Sequence, residues 1–406
     1  MEFANRVYYF LLNLLVFSLP VSLKLASVLS ILLGVLWVFE LFKVGYVKRG
    51  LKDKFWMGFI LLYVFLVFGY FISDNKIVAL RDLEIKLSLL LYPIIIATSK
   101  IIQKNIVKHF ELLLSSYLLG VFFLCLTNLF AGGYKFYISG NSQYLTYSGL
   151  ALTMHSSYFS LYLNFAIAIV FRKIYNSTGS WMINILLLVL FLSMVILLGS
   201  KAGILSLGIL LAVFVYLMFF KLKNIKVGLI MLVFMIGSCL IIINNKAIKS
   251  RMTEMISSVV NDSDSDNTST SLRISVWRVG LNLIADKPLF GHGTGDVRDV
   301  LAETYKTKGL EQALKKKSNP HNQYLQTTIA SGLLALIVLL YLLFVPLTFI
   351  HLKNMLLWGA FIVLVAFNLL FESMLERQAG VMFFVLFSCL FYVRNVVYAK
   401  TKIIKY

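Results

Sequence analysis

Residues 181–198 read WMINILLLVLFLSMVILL, a run without a single charged side chain. A bilayer core about 30 Å thick needs about 20 apolar residues per helix, so this run is long enough to cross one. Similar runs recur along the chain, and about twelve come near that length. They centre on Tyr8–Leu19, Leu25–Phe42, Phe55–Ile72, Leu87–Ser99, Phe110–Ala131, Tyr158–Phe171, Trp181–Leu198, Gly203–Phe220, Val227–Ile243, Tyr324–Ile350, Met355–Phe371 and Val381–Val393. The sequence therefore predicts an all-α polytopic membrane protein with about twelve transmembrane helices.

The composition points to the same class. Of the 406 residues, 60% are hydrophobic and 14% charged, whereas soluble domains carry about 45–50% apolar and about 25% charged residues. A water-soluble globular protein is thereby excluded. The net charge of +20 leaves nucleic acid, an anionic membrane surface and an anionic substrate as partners to consider. Cys125, Cys239 and Cys389 all lie inside apolar runs, so neither a loop disulfide nor a C-x-x-C metal site is expected.

The distribution of Lys and Arg predicts the orientation. Twelve crossings put both termini on one side, and the short connections on that side carry most of the Lys and Arg found outside one long loop, which indicates the cytoplasm. Most of the positive charge is thus explained by topology, so we expect membrane lipids as partners and no nucleic acid. The long loop, residues 244–322, is expected outside the inner membrane.

This loop divides the chain into three parts. Residues 1–243 are expected to hold helices one to nine, residues 244–322 a helical loop domain, and residues 323–406 helices ten to twelve. No fixed period recurs and no duplicated half is visible, which argues against repeat architectures and many transporters.

The loop begins with a polar stretch, Asn261–Thr270, in which three Asp residues alternate with other residues. Such alternation is found in calcium-binding loops, but position 6 is Asn267 instead of Gly and position 12 is Arg273 instead of Glu. A solvated linker is the favoured interpretation.

A helix is predicted after the linker, capped by Thr270 and Ser271. Its apolar residues recur at helical spacing: Leu272, Val276, Val279 and Leu283. Arg273 and Trp277 are four residues apart and so share one side of this helix, where the indole can orient the guanidinium. The alternative is an arginine that snorkels or forms an ion pair on a surface helix.

A glycine-rich segment, Pro288–Asp296, ends this helix. Glycines at 291, 293 and 295 would let backbone N–H groups approach a phosphate, but no βαβ unit surrounds them. We therefore favour a plain turn followed by a helix that Asp296 caps.

The loop returns to the membrane through a segment that contains His321. Asn319 is suited to be an N-cap with Pro320 at the first helical position, which places His321 in the first turn of a membrane helix at the outer surface. The positive end of that helix attracts anions and disfavours a protonated imidazole, so His321 could accept a proton. The alternative is an interfacial histidine that only forms hydrogen bonds.

Other polar side chains are expected on the same side. Lys201 lies in the short turn Gly199–Gly203 between two apolar spans, where it could bind an anion or merely reach water. His155 opens another span from the outside. Acidic candidates are Asp82 and Glu84 in the second external loop and Glu372 and Glu376 in the last. Asp82 and Glu84 do not face one another on a helix, so solvated loop charge is favoured over a metal-binding pair.

Taken together, four motifs resemble the O-antigen ligase family of bacterial membrane proteins, a superfamily that includes Wzy-type polymerases. These motifs are Gly199-Ser-Lys-Ala-Gly203, Ser271-Leu-Arg-Ile-Ser-Val-Trp277, Lys287-Pro-Leu-Phe-Gly-His-Gly-Thr-Gly295 and Asn319-Pro-His-Asn-Gln-Tyr-Leu325. The resemblance covers about Leu197–Leu340. It implies a twelve-helix glycosyltransferase of the bacterial inner membrane that moves a glycan from undecaprenyl pyrophosphate to an acceptor sugar, either lipid A–core or a growing glycan. The family needs no cofactor and no metal.

The resemblance also assigns roles to residues. The family's functional positions fall on His321 as the base, on Arg273, and on Lys201, where the family has arginine. Because lysine lacks the planar fork of arginine, pyrophosphate binding at this position departs from the family pattern. Arg278 and Arg298 are the candidates to compensate. Candidates to assist the site are His155, Trp277 and Asn322.

Two other functions share these features. A Wzy-type O-antigen or capsule polymerase would use the same donor and differ only in its acceptor. A polysaccharide transporter or flippase would also have about twelve spans and a basic cavity. The single large loop, the missing repeat and the scarcity of charge within the spans argue against a transporter.

Overall fold

The computed structural model describes residues 2–44, 51, 53–244, 253, 269–349 and 355–397, and within these residues it contains helices and no β-strand. The all-α prediction is confirmed for this part of the chain. The Asp residues at 262, 264 and 266 lie outside the described residues.

The helices follow one another with short connections. The α-helices of five residues or more are α1 (Glu2–Val21), α2 (Leu23–Val44), α3 (Lys54–Ile72), α4 (Lys76–Lys86), α5 (Ser88–Thr98), α6 (Lys100–Ser139), α7 (Ser156–Tyr175), α8 (Trp181–Leu198), α9 (Lys201–Tyr216), α10 (Ile225–Asn244), α11 (Ser269–Asp286), α12 (Val297–Thr307), α13 (Glu311–Lys315), α14 (Gln323–Phe344), α15 (Ala360–Phe371) and α16 (Gln378–Tyr392). Single π-helical turns extend α9 at Leu217–Lys221 and precede α15 at Met355–Gly359.

Eight of the twelve predicted spans are long and apolar enough to cross a membrane. They are Ala4–Val21, Leu23–Phe42, Lys54–Ile72, Lys100–Ser139, Trp181–Leu198, Lys201–Lys221, Gln323–Phe349 and Gln378–Val397. Two more predicted spans coincide with shorter apolar helices, Ile225–Leu240 and Leu356–Phe371. The protein is therefore a multi-pass membrane protein.

The other two predicted spans coincide with α5 and α7. α5 has 11 residues, which rise only about 16 Å, roughly half of a bilayer core. α7 has 20 residues but carries the buried polar side chains Ser160 and Asn164. Its polar character follows from its place inside the bundle, where other helices instead of lipid surround it.

α7 is the central helix of the membrane core. It is buried from Ser157 to Phe171 and packs against α8, α9 and α15. Two hydrogen bonds fix it to its neighbours: Asn164 Nδ2 donates to Gly203 O of α9 (2.9 Å), and Tyr162 Oη donates to Ala379 O of α16 (2.9 Å). The beginnings of α7 and α9 are thereby held at one end of the bundle.

The helices of the loop domain have a small core of their own. Buried apolar side chains from α11, α12 and α13 meet there with two residues of α14, Ile329 and Ala330. The loop domain thus packs directly on a membrane helix.

The glycine-rich segment fills a break in that membrane helix. α14 departs from helical geometry at Gly332, whose φ is +80°. His292 N donates to Ile329 O (2.7 Å), Gly293 N donates to Ala330 O (3.0 Å), and Leu333 N donates to Pro288 O (2.8 Å). The break leaves backbone carbonyl and N–H groups of α14 without partners in the helix, and these hydrogen bonds supply the partners. Such pairing is required where the surroundings are apolar. The N–H groups of His292 and Gly293 therefore bind carbonyl groups of α14, as expected for a structural turn and not for a phosphate-binding segment.

Asp296 lies at the predicted N-cap position of α12, but its side chain binds elsewhere. α12 does begin directly after it, but the Asp296 side chain makes no capping hydrogen bond there. Its carboxylate instead accepts hydrogen bonds from Asp74 N (2.7 Å) and Asn75 N (2.8 Å), just before α4. The predicted cap position is therefore confirmed, but the expected side-chain cap is wrong, because the carboxylate binds two N–H groups of a segment that the sequence alone does not bring near.

Candidate active site

His321 and Glu372 form a hydrogen-bonded pair. Nδ1 of His321 lies 3.0 Å from Oε1 of Glu372, which directly follows α15. The Glu372 side chain is nearly buried, with 10% exposed, whereas that of His321 is 36% exposed. When Nδ1 carries the hydrogen and donates it to Glu372, the accessible Nε2 keeps its lone pair and can accept a proton.

His321 precedes α14 and does not lie in its first turn. Asn322, not Asn319, is the N-cap, and its Oδ1 accepts from Leu325 N (3.1 Å). His321 itself has a φ of +45°, outside the helical region, and its N–H donates to Asn319 Oδ1 (3.0 Å). The predicted cap was one turn too early. The side chain of Asn319 binds an N–H group of the turn before the helix, and the side chain of Asn322 caps the helix itself.

Trp277 holds the backbone beside His321. Its Nε1 donates a hydrogen bond of 2.7 Å to Pro320 O, which joins α11 to the segment that carries the histidine. Trp277 was predicted to orient Arg273, and this bond gives it a second role in positioning His321.

The charges around Glu372 keep its carboxylate ionised. Burial on its own raises the pKa of Glu372, but the hydrogen bond from His321, the charge that His321 carries when it is protonated, and the charges of His155 and Arg273 outweigh burial and lower this pKa below its ordinary value. Burial lowers the pKa of Arg273 below its ordinary value, and the nearby Glu372 carboxylate only partly offsets this effect. Charges from three separate segments thus converge on one carboxylate.

Arg273 lies between two cavities. The first, of about 390 Å³, is lined by Leu272, Arg273, Val276, Lys316, Lys317, Ser318, Asn319 and His321. The second, of about 350 Å³, is lined by Tyr147, Ser148, His155, Ser156, Ser157, Leu198, Gly199, Ser200, Lys201, Ala202 and Arg273. The guanidinium is therefore placed to act on molecules bound in either.

The second cavity is suited to an anion. α7 begins at this cavity with His155 as N-cap, and α9 begins there with Ser200 as N-cap and Lys201 as its first residue. Helix N-termini carry partial positive charge and unpaired N–H groups, and here two of them meet the charged side chains of Lys201 and Arg273. Such a site favours a multiply charged group such as a pyrophosphate.

Part of the chain that carries these residues is similar to a known family. Residues 186–340 match the family model described as O-Antigen ligase. This part of the chain is similar to an O-antigen ligase domain. The family resemblance of the motifs is thereby confirmed, and it indicates a glycosyltransferase or ligase.

One relative matches over a longer stretch of the chain, but its description names no function. A protein of Haemophilus influenzae (strain ATCC 51907 / DSM 11121 / KW20 / Rd), described as an uncharacterized protein, is 26% identical over 188 residues, or 45% of this chain. The chain covers 46% of the length of that curated relative.

The residues that match the family model contain only part of the site. Lys201, Arg273 and His321 lie within residues 186–340, whereas His155 and Glu372 lie outside them. Glu372 was predicted to be an acidic residue of the last external loop, but its pairing with His321 was not predicted. Arg278 is exposed and lines neither of the two cavities, so its predicted binding of pyrophosphate gains no support from the geometry.

A buried ionic network lies behind the pair. Lys86 Nζ contacts Glu376 Oε1 (2.7 Å) and Asp82 Oδ2 (3.4 Å), and only 5% of the Lys86 side chain is exposed. Gln323 links this network to α14, because its Nε2 donates to Glu376 (3.4 Å) and its Oε1 accepts from Leu375 N (2.7 Å). The segments carrying His321 and Glu372 are therefore tied together a second time.

Asp82 and Glu84 were both expected to be solvated charges of a loop. Glu84 is exposed as expected, whereas only 14% of the Asp82 side chain is exposed. Burial is the largest influence on Asp82 and raises its pKa. Among the described residues, no group of three or more His, Cys, Asp and Glu side chains is arranged to hold a metal ion.

Proposed function

We propose that this chain is a glycosyltransferase of the O-antigen ligase type, which moves a glycan from undecaprenyl pyrophosphate to a hydroxyl of an acceptor sugar of the lipid A–core type. The observation that carries the proposal is the position of Arg273 between the cavity of His321 and the cavity of Lys201. The donor pyrophosphate would occupy the Lys201 cavity and the acceptor the His321 cavity. The reacting anomeric carbon then lies beside Arg273.

In this mechanism His321 is the general base. Nε2 takes the proton of the acceptor hydroxyl, while Glu372 accepts the hydrogen bond from Nδ1–H and stabilises the imidazolium that forms. The hydroxyl oxygen forms a bond to the anomeric carbon as the bond from that carbon to the pyrophosphate oxygen breaks. A single displacement of this kind inverts the anomeric centre.

Positive charge assists departure of the leaving group. Undecaprenyl pyrophosphate leaves with an additional negative charge, which Arg273, Lys201 and the two helix N-termini stabilise. Charge stabilisation and positioning by fixed groups are the main catalytic contributions for a leaving group that is already activated. No step of this mechanism uses a metal ion or cofactor.

The proposed topology has twelve crossings of the bacterial inner membrane with both termini in the cytoplasm. α5 and α7 would then cross inside the bundle, where α5 need not match the full thickness of the bilayer. Residues 1–243 and 323–406 hold the membrane helices, and residues 244–322 form the periplasmic loop domain. The site faces the periplasm in this arrangement.

The test is transfer by purified protein. Wild type, His321→Ala and the control His109→Ala, an imidazole of α6 outside both cavities, are incubated with lipid-linked oligosaccharide and lipid A–core, and products are read by mass spectrometry. We expect product from wild type and from His109→Ala, none from His321→Ala, and no effect of excess EDTA. Full transfer by folded His321→Ala would refute the proposed base.

The same assay identifies the acceptor. Glycan attached to lipid A–core supports a ligase, whereas longer lipid-linked glycan without attachment supports a Wzy-type polymerase. Product formation without a transmembrane gradient distinguishes both from a transporter.

A further inference from the structure

The end of the bundle opposite the candidate active site contains an apolar groove. His155 and Lys173 lie on the same helix, α7, and are separated by 18 residues, or about 27 Å along its axis. Beside Lys173, a cavity of about 450 Å³ opens between α6 and α8. Its lining is apolar except for Ser115 and Lys173, and comes mainly from Leu118, Leu119, Phe122, Ile183, Leu186 and Leu190.

The apolar walls of this groove face the bilayer. Leu119 is 50% exposed, Ile183 55% and Leu186 62%, so the groove is open on the outer surface of the bundle. Ser115 and Phe122 are seven residues apart on α6, which corresponds to about 10 Å along the helix axis. The groove is therefore long enough for the first part of a lipid acyl chain.

The polar end of the groove carries positive charge. Lys173 Nζ donates to Ser115 Oγ (3.0 Å), a neutral partner. The neighbouring Arg172, in contrast, forms two hydrogen bonds with the Glu111 carboxylate (2.8 and 2.6 Å), which neutralise it. Lys173 thus presents an ammonium group at the point where an acyl chain would meet its head group.

A second cavity continues the basic surface around Lys173. It measures about 450 Å³ and is lined by Lys173, Lys226 and Trp181, among others. Trp181 is 56% exposed. Exposed tryptophan beside lysine is typical of the boundary between the apolar core of a membrane and its head groups.

We propose that this groove binds one anionic phospholipid, with its phosphate at Lys173 and an acyl chain between α6 and α8. The charge of Lys173 favours an anionic over a zwitterionic lipid, since one basic residue near an anionic lipid surface contributes about 1 kcal/mol, a factor of about five. This site is about 27 Å from the proposed glycosyl-transfer site and does not depend on that function.

The test is native mass spectrometry of the purified full chain in detergent, titrated with dioleoylphosphatidylglycerol or dioleoylphosphatidylcholine. The variants are Lys173→Gln and the matched control Lys104→Gln, an exposed lysine near the beginning of α6 at the same end of the bundle. We expect wild type and Lys104→Gln to retain one phosphatidylglycerol about fivefold better than Lys173→Gln. Equal retention of the two lipids by wild type, or equal retention by all three proteins, would overturn the site.

A second measurement needs no variant. Phosphatidylglycerol with a photoactivatable diazirine in its acyl chain is cross-linked to wild type, and the labelled peptides are mapped. We expect labels within residues 115–122 and 183–190, reduced by excess unlabelled phosphatidylglycerol. Labels confined to other helices, or labels that excess lipid does not reduce, would contradict the proposal.

Discussion

Nδ1 of His321 and Oε1 of Glu372 lie 3.0 Å apart, although 51 residues separate them in the sequence. One belongs to the segment before α14 and the other to the end of α15, so the pair forms only when these two membrane helices pack against each other. The contact fixes which imidazole nitrogen can accept a proton. Packing of the bundle and the proposed chemistry are therefore linked at this one hydrogen bond.

Glu372→Gln is expected to lower kcat about 100-fold or more with little change in the KM for either substrate. The amide keeps the size of the side chain but cannot stabilise the imidazolium by charge, and its NH₂ group can reverse the tautomer of His321. The measurement is initial-rate transfer by purified variants in detergent.

Glu84→Gln is the matched control for this change, because Glu84 is an exposed carboxylate outside the site. Its rate should equal that of wild type. A Glu372→Gln protein that keeps wild-type kcat would show that the pair is only structural.

The lowered pKa of Glu372 predicts a pH dependence of stability. A carboxylate with a lower pKa in the folded than in the unfolded state contributes stability above its ordinary value of 4.5, and this contribution is lost as the pH falls through the folded pKa. Wild type should therefore melt above Glu372→Gln at pH 7 and pH 5, and the difference should close below pH 4.5. A difference that already vanishes at pH 6 would assign the stabilisation to another group.

Arg273→Lys is expected to raise the KM for the lipid-linked donor about tenfold, with a smaller effect on the acceptor. Lysine keeps the charge but loses the planar fork that can bind two phosphate oxygens at once. Arg278→Lys is the control on the same helix, and because Arg278 is exposed and lines neither cavity, its kinetics should stay near wild type. Equal effects of the two substitutions would place the pyrophosphate elsewhere.

Gly332→Ala should destabilise the protein by about 3 kcal/mol or more. Gly332 has a φ of +80°, which side chains rarely adopt, and an added Cβ would overlap the carbonyl oxygen of Leu289. Gly208→Ala in α9 meets no atom within 4 Å and should be neutral or stabilising by up to about 1 kcal/mol. Thermal unfolding in detergent compares the two, and similar melting temperatures would mean that α14 is not broken at Gly332.

Hydropathy was sufficient to locate the apolar helices, because lipid contact requires long apolar runs whatever the tertiary structure. It could not distinguish lipid-facing spans from helices inside the bundle. α7 carries Asn164 because it is surrounded by protein, where polarity is less restricted, and the 11 residues of α5 are mostly buried against other helices.

The site was predictable to the extent that its residues lie in local motifs. Arg273 and His321, two positions that the resemblance singled out, line one cavity, and Lys201 and His155 line the neighbouring one. Glu372 was not paired with His321, because the contact depends on how α14 and α15 pack.

The predicted side-chain caps by Asn319 and Asp296 were wrong for a related reason. Both residue types are common N-caps, but the structure uses Asn319 for a preceding turn and Asp296 for the beginning of another helix. Local sequence identifies a hydrogen-bond acceptor without specifying which nearby N–H groups it will meet.

Lys86→Met is expected to destabilise the protein far more than Lys315→Met. Both lysines contact a carboxylate four residues earlier, Lys86 with Asp82 (3.4 Å) and Lys315 with Glu311 (3.2 Å). Only 5% of the Lys86 side chain is exposed, however, and its removal leaves two nearly buried carboxylates without their cation, which costs about 3–5 kcal/mol. The Lys315 side chain is 77% exposed, and such surface pairs contribute about 0–1 kcal/mol.

The melting temperatures of the two variants in detergent test this difference, and transfer activity measured below the melting temperature adds a second readout. Since Gln323 connects Glu376 to the segment of His321, Lys86→Met should also lower kcat in the folded protein. Equal melting temperatures would mean that Lys86 reaches water. Strong destabilisation with an unchanged kcat would instead confine the network to holding α4 against the connection between α15 and α16, with the His321–Glu372 pair positioned by Trp277 and the packing of α14 on α15 alone.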